Sequence, residues 1–296
     1  MGQELSELND LRGQIDKIDD ELQDLLIRRS ELSRAIAGVK LPDGGKRKDN
    51  FAHAMRPARE ASIIRRLIAR HRGELPPQAI ARVFREIISA SLRIQSKFEL
   101  HVLAGTEFFD IARSGFGSLA PIRIHAKPSL VVHACAENLN SLGLVSLPEF
   151  EEPGASWWAQ LAPAGTMGPR VIAKLPFVTD NADAPSALAI GAIELAPSGD
   201  DMTFLLLQIE PGMSRNKLLS FVKTAGFDAA RAAAGRISDK MVPDEILLSV
   251  KGFVTPDDDR LKVLAKIAGD AVVRIAQIGG YANPVMVKAP ARPAMG

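Results

Sequence analysis

Residues 4–40 contain no proline, and Leu5, Leu8, Leu11, Ile15, Ile18, Leu22, Leu25, Ile36 and Val39 recur at spacings of three, four or their sums. That periodicity predicts one amphipathic helix, about 54 Å long at 1.5 Å per residue. A 100-residue domain has a radius of gyration of only about 13 Å, so a stripe of that length overhangs its own domain. It has to be covered by helix along its whole length, and a single chain is short of helices to do so. The pattern therefore predicts a homodimer. The repeat is not a strict a/d heptad, which argues against a solitary coiled coil.

The texture then changes twice. A polar, glycine-containing link (residues 41–50) follows the long helix. Pro57 suits the first turn of a second helix that runs to about His71 and is stopped by Gly73. A third begins around Pro76 and Pro77 and carries Ile80, Val83, Phe84, Ile87, Ile88, Ser91, Leu92 and Gln95. Residues 1–98 thus read as an all-α domain. In residues 99–200, short apolar runs (102–104, 142–145, 171–173) alternate with helix-like stretches and Gly/Pro loops, the texture of an α/β segment. Residues 201–287 are more regular: strand 203–209, helix 214–225, a poorly defined stretch 228–238, strand 245–253, helix 256–268 with an acidic first turn, and strand 271–278. That order is β-α-β-β-α-β with a weak second strand. A Pro/Ala-rich tail occupies 288–296. A chain of 296 residues fits such a multidomain layout.

Charge and composition exclude several classes. The first 100 residues hold 14 of the 23 arginines, yet their 19 basic side chains are interspersed with 15 acidic ones. Only Phe51 and Phe84 are aromatic before residue 98, so the stacking platforms of a nucleic-acid binder are missing. No apolar run is long enough to span a membrane, and the first residues carry no apolar signal segment, which points to the cytoplasm. Cys135 is the single cysteine, and the five histidines show no ligand spacing, so no metal and no cofactor is expected. Arginines that clamp small carboxylates remain open.

Arg12, Arg29 and Lys40 lie on the long helix 17 and 11 residues apart, close to five and three turns, and are expected on a similar side. Ser91 and Gln95 form an i, i+4 pair on the third helix beside Ile87, Ile88, Leu92 and Ile94. Singly, such residues are ordinary. Jointly, L-x-x-L-R-x-x-I-D-x-I-D-x-E-L-x-x-L-L-x-R-R, then Lys40, then R-P-x-R-E, then F-R-E-I-I-x-x-S-L-x-x-Q resemble the all-helical chorismate mutase family over about residues 5–97. The resemblance implies an intertwined dimer of three-helix chains. It matches Arg12 to the arginine donated across the dimer, Arg29 to a carboxylate clamp of the same chain, and Lys40 to the lysine reaching the ether oxygen of the breaking bond and a carboxylate. It likewise matches Arg59 and Glu60 to an Arg-Glu pair whose glutamate holds the substrate hydroxyl, Ser91 to a carboxylate-binding serine, and Gln95 to a donor on the ether oxygen. Arg56 stands where some members carry an acidic residue, and residues 41–55 read as an insertion.

Downstream, residues 104–112 and 142–148 are similar in order to the first lobe of prephenate dehydratases. Residues 278–284, after the β-α-β-β-α-β pattern, resemble the close of an ACT regulatory domain. The Thr-Arg-Phe triplet of the dehydratases and the Glu-Ser-Arg-Pro run of phenylalanine-binding ACT domains are both absent, and residues 98–200 are too few for two lobes. The expectation is a chorismate mutase followed by a reduced segment without dehydratase activity and an ACT-like domain. The same helical pattern also suits an isochorismate pyruvate-lyase. A non-enzymatic sensor of chorismate or aromatic amino acids is the reading outside enzymology.

Overall fold

The computed structural model describes residues 2–39, 51–148, 156–234 and 244–287. Helix α1 runs from Gly2 to Gly38, 37 residues, about 55 Å of continuous helix. After a short helix α2 (Phe51–Ala54), α3 spans Pro57–Arg70 and α4 Pro77–Gln95. Proline occupies the first turn of both, where its missing N–H costs nothing. The expected helix boundaries hold to within a residue or two. The short helix α2 lies inside the expected insertion. Its Phe51 is fully buried and stacks on Phe98 with ring centroids 5.1 Å apart, so the end of that link is anchored in the core. Lys40 and residues 41–50 lie outside the described residues.

Beyond α4 come β1 (Glu99–Leu103), α5 (Thr106–Phe116), β2 (Ile122–His125), α6 (Pro128–Glu137) and β3 (Ser141–Ser146). Then follow β4 (Arg170–Leu175), the short β5 (Val178–Thr179) and β6 (Ala187–Gly191). The last stretch is β7 (Asp201–Ile209), α7 (Arg215–Thr224), β8 (Ala229–Ala234), β9 (Asp244–Lys251), α8 (Asp259–Ala268), β10 (Val272–Ala282) and β11 (Val285–Met286). Nine strands form one sheet in the order β2-β1-β3-β6-β4-β10-β7-β9-β8. Strands β1, β2 and β3 are parallel, as crossover helices α5 and α6 require. The final four strands are antiparallel in the spatial order β10-β7-β9-β8. The weak stretch after residue 228 contributes β8, and the expected β-α-β-β-α-β element order is present.

The α/β segment and the C-terminal unit meet where β4 and β10 touch, through the pair Val171 and Gly279. Gly279 has φ +123°, and a Cβ there would stand 2.2 Å from the Val171 carbonyl oxygen. The adjacent Gly280 is similarly pressed on the Met202 carbonyl oxygen, at 2.4 Å. Only glycine lets three backbones approach this closely. The Gly-Gly pair therefore joins the two parts into one sheet.

The largest apolar core is shared between the helical third and the sheet. Met55, Ile64, Ile88 and Leu92 pack with Phe116, Ile172, Leu175 and Phe177. Two further cores lie where α6, Trp157 and Trp158 pack with sheet residues and between α7, α8 and the C-terminal strands. Helix α1 is the exception. Its buried residues are Ser33 and Ala37, one turn and two turns beyond Arg29, where it packs on α4. The stripe from Leu5 to Val39 stays 43–61% exposed.

Candidate functional site

The α1–α4 contact is built around Arg29. Its Nη1 donates to the Ser91 hydroxyl oxygen and, at 3.4 Å, to the Ile87 carbonyl. Ser91 in turn donates to the same carbonyl at 2.7 Å. Ser91 is buried, Arg29 and Gln95 half-buried, and partial burial pulls the Arg29 guanidinium below its ordinary value by disfavouring its charge. Gln95 stands one turn beyond Ser91, about 6 Å along the same side of α4. The Arg29–Ser91 contact and the helical spacing of Gln95 thus place the three residues along the α1–α4 groove, next to Ile87. A half-buried guanidinium with donors to spare, beside a hydroxyl and an amide, suits a small carboxylate.

Arg12 does not join them. It is exposed and lies about 25 Å along α1 from Arg29, beyond any side chain's reach. The 17-residue step is about 4.7 turns, so Arg12 also sits about 100° around the helix from Arg29, not on the similar side expected. Among the described residues of the same chain, Arg12 stands apart from Arg29, Ser91 and Gln95.

Arg59 and Glu60 separate on α3: Arg59 is exposed, whereas Glu60 turns toward α4. Its Oε2 accepts from Arg85 Nη1 at 2.8 Å, with the two side chains 13% and 12% exposed. Burial pushes the Glu60 carboxyl above the usual carboxylate range, opposed by the charge and hydrogen bond of Arg85. The same desolvation holds the Arg85 guanidinium below its ordinary value. Arg85 and Ser91 are six residues apart, about 120° around α4. The ion pair therefore faces the shared core, away from the Arg29 groove.

Arg85 was not singled out in the sequence. The available signal was an arginine amid the apolar spacing of Ala81, Phe84 and Ile88, which must find a partner if buried. The Phe177 ring lies against its guanidinium, 5.4 Å from centroid to Cζ, and no local pattern links positions 85 and 177. Arg65 is a second such residue. From α3 it donates to the Ser198 carbonyl and hydroxyl at 3.0 and 2.9 Å, the Asp200 carbonyl at 2.8 Å and the Asn283 carbonyl at 2.9 Å. It clamps the helix bearing Arg59 and Glu60 to the start of β7 and the end of β10.

Farther off, His101 Nδ1 lies 2.9 Å from His125 Nε2 across β1 and β2, with Glu99 3.4 Å from His101 Nε2. Among the described residues no group of three His, Cys, Asp or Glu side chains is placed to hold a metal ion, and no helix is long and apolar enough to cross a membrane.

Residues 11–96 match the family described as chorismate mutase type II. A bifunctional chorismate mutase/prephenate dehydratase of Stutzerimonas stutzeri is 31% identical over 100 residues, 34% of this chain and 27% of that protein. Its namesake in Aquifex aeolicus (strain VF5) is 32% identical over 103 residues, 33% of this chain and 26% of the other. The match thus spans about a quarter of the length of these curated relatives. Among solved structures, the prephenate dehydratase of Streptococcus mutans aligns with 63% of this chain and 98% of its own at 12% identity, with a TM-score of 0.45.

Proposed function

We propose that the helical third catalyses the rearrangement of chorismate to prephenate in the route to phenylalanine and tyrosine. The observation that carries this reading is the Arg29–Ser91 contact, with Gln95 one turn on, inside the one segment that matches the mutase family. The reaction is a Claisen rearrangement, a pericyclic step with no nucleophile and no obligatory proton transfer. A protein accelerates it by holding the dianion in its reactive diaxial shape and by stabilising charge that grows on the ether oxygen as the carbon–oxygen bond breaks. Arg29 and Ser91 hold one carboxylate. Gln95 and Lys40 donate to the ether oxygen, and Arg59 contributes a further cation. Glu60 accepts the substrate hydroxyl only if its carboxylate swings from Arg85.

The functional unit in this reading is a homodimer of intertwined three-helix domains. The exposed apolar stripe supports it, because a second copy of α1 is the cover whose length matches. A second chain also resolves the position of Arg12: 25 Å from its own groove, it enters the partner's. The part from residue 99 onward carries no dehydratase activity in this account. Residues 201–287 form an ACT-like unit, a reading supported by their β-α-β-β-α-β order with outer strands β10 and β8.

The test is to assay the full chain with chorismate, following prephenate, and with isochorismate, following pyruvate. Prephenate from chorismate is expected. Pyruvate from isochorismate without prephenate from chorismate makes the protein a lyase, and neither product makes it a binding protein.

A further inference from the structure

A cavity of about 360 Å³ lies on the far side of α4 from the Arg29 groove. It is walled by α3 at Ile64, by the first turns of α4, by α5 at Ser114 and Gly115, and by residues 175–180. Its size is at the lower end of small-ligand sites. Ile64, Leu175, Phe177 and Val178 give it an apolar interior. The wall at 177–179 is fixed from behind, since the Phe177 and Thr179 carbonyls accept from Val285 and Val287 N–H at 2.7 and 2.9 Å. The cavity is therefore part of the folded scaffold.

Among the described residues, three polar groups on its lining have no partner. Gln78 Oε1 is buried without a hydrogen bond. Arg82 and Asp180 are exposed and line the same cavity, and among the described residues no ion pair joins them to each other or to another side chain. Arg85 differs, since its charge is met by Glu60. A buried acceptor without a donor calls for a donor. A cation and an anion, unpaired with each other on the lining of one partly apolar cavity, suit a ligand bearing both charges and an apolar body.

We propose that this cavity binds a small zwitterion with an apolar side chain, of the α-amino acid class, its carboxylate on Arg82 and its ammonium group shared by Asp180 and Gln78. The assignment is independent of the reaction proposed above: no residue of the Arg29 groove lines the cavity, and binding is read without turnover. Arg85 and Phe177 do line it, so an occupant touches the far side of the Glu60–Arg85 pair.

The experiment is isothermal titration of the full chain with millimolar L-leucine and L-phenylalanine. Hydrocinnamate and phenethylamine, each lacking one charge, serve as controls. Binding of at least one amino acid is expected, with the controls weaker by about tenfold or more. Arg82→Met and Asp180→Asn, both at exposed positions, are each expected to weaken the amino acid by about tenfold while leaving mutase turnover intact. The proposal is overturned if neither amino acid binds, if either control binds as well as the amino acid, or if either variant binds unchanged.

Discussion

Consider Arg85→Met. The wild-type pair is close, at 2.8 Å, and both side chains are about seven-eighths buried, so the substitution strands a carboxylate in the shared core. Breaking a buried pair from one side costs about 3–5 kcal/mol, against 0–1 kcal/mol for a surface pair. For a chain of this size each kcal/mol lowers Tm by about 2–4 °C, so a loss of about 6–20 °C is expected. The pH dependence has a definite sign. Burial already raises the Glu60 carboxyl, and Arg85 opposes that rise; without the arginine it goes higher still. Between its unfolded and folded values the native state then binds more protons than the unfolded one, so stability falls as pH rises. Arg85→Met is expected to be more damaging at pH 8 than at pH 5. Removing both charges, as Glu60→Gln with Arg85→Met, is expected to recover most of the loss because no uncompensated charge remains. Urea unfolding at the two pH values measures all of this. A single-variant cost below 1 kcal/mol, or a double variant equal to the sum of the singles, refutes the reasoning.

Other consequences follow from single sites. Cys135 is fully buried and its thiol is pushed up to about 12 by desolvation, so iodoacetamide is expected to label it in urea and not in buffer; native labelling at the unfolded rate contradicts its burial. Burial holds His101 below its ordinary value, with His125 adding to the effect and Glu99 opposing it. The unfolded state therefore takes up protons first as pH falls below about 6.5, and stability is expected to drop from pH 7 toward pH 5. His101→Asn flattens that slope in a thermal scan, and an unchanged slope counts against the assignment. Arg65→Ala removes four donors to the β6–β7 loop and the end of β10, and is expected to speed hydrogen exchange at residues 198–201 while β1–β3 exchange as before; equal exchange in both regions would show that the clamp is idle.

Much of the fold was legible because it depends on local rules. The helix starts at Pro57 and Pro77 follow from proline's tolerance for first turns, and the long stripe of α1 from its spacing. The order of the last six elements was readable from apolar runs and breakers, although β8 was faint: its run of alanines between Ala229 and Ala234 carries little strand preference. The site was legible in part. The sequence pairs Ser91 with Gln95 by helical spacing, but the Arg29–Ser91 bond joins positions 62 apart. Glu60 shows why pattern alone fell short. Its place beside Arg59 suggests a shared site, while the structure turns it to Arg85 because the downstream segment buries that side of α4. Partners 25 to 218 positions distant, as for Glu60 and Arg65, are set by packing and leave no periodic trace.

The central claim is that two chains share each mutase site, with Arg29 from one and Arg12 from the other, and subunit mixing tests it directly. Arg12→Ala and Arg29→Ala are each expected to lose mutase turnover by about 10²–10³. After the two inactive proteins are mixed and allowed to exchange subunits, half the dimers are mixed and one of their two sites is intact. Prephenate formation is then expected to return to about a quarter of the wild-type rate per chain. If exchange is complete by mass and no activity returns, the shared site is wrong.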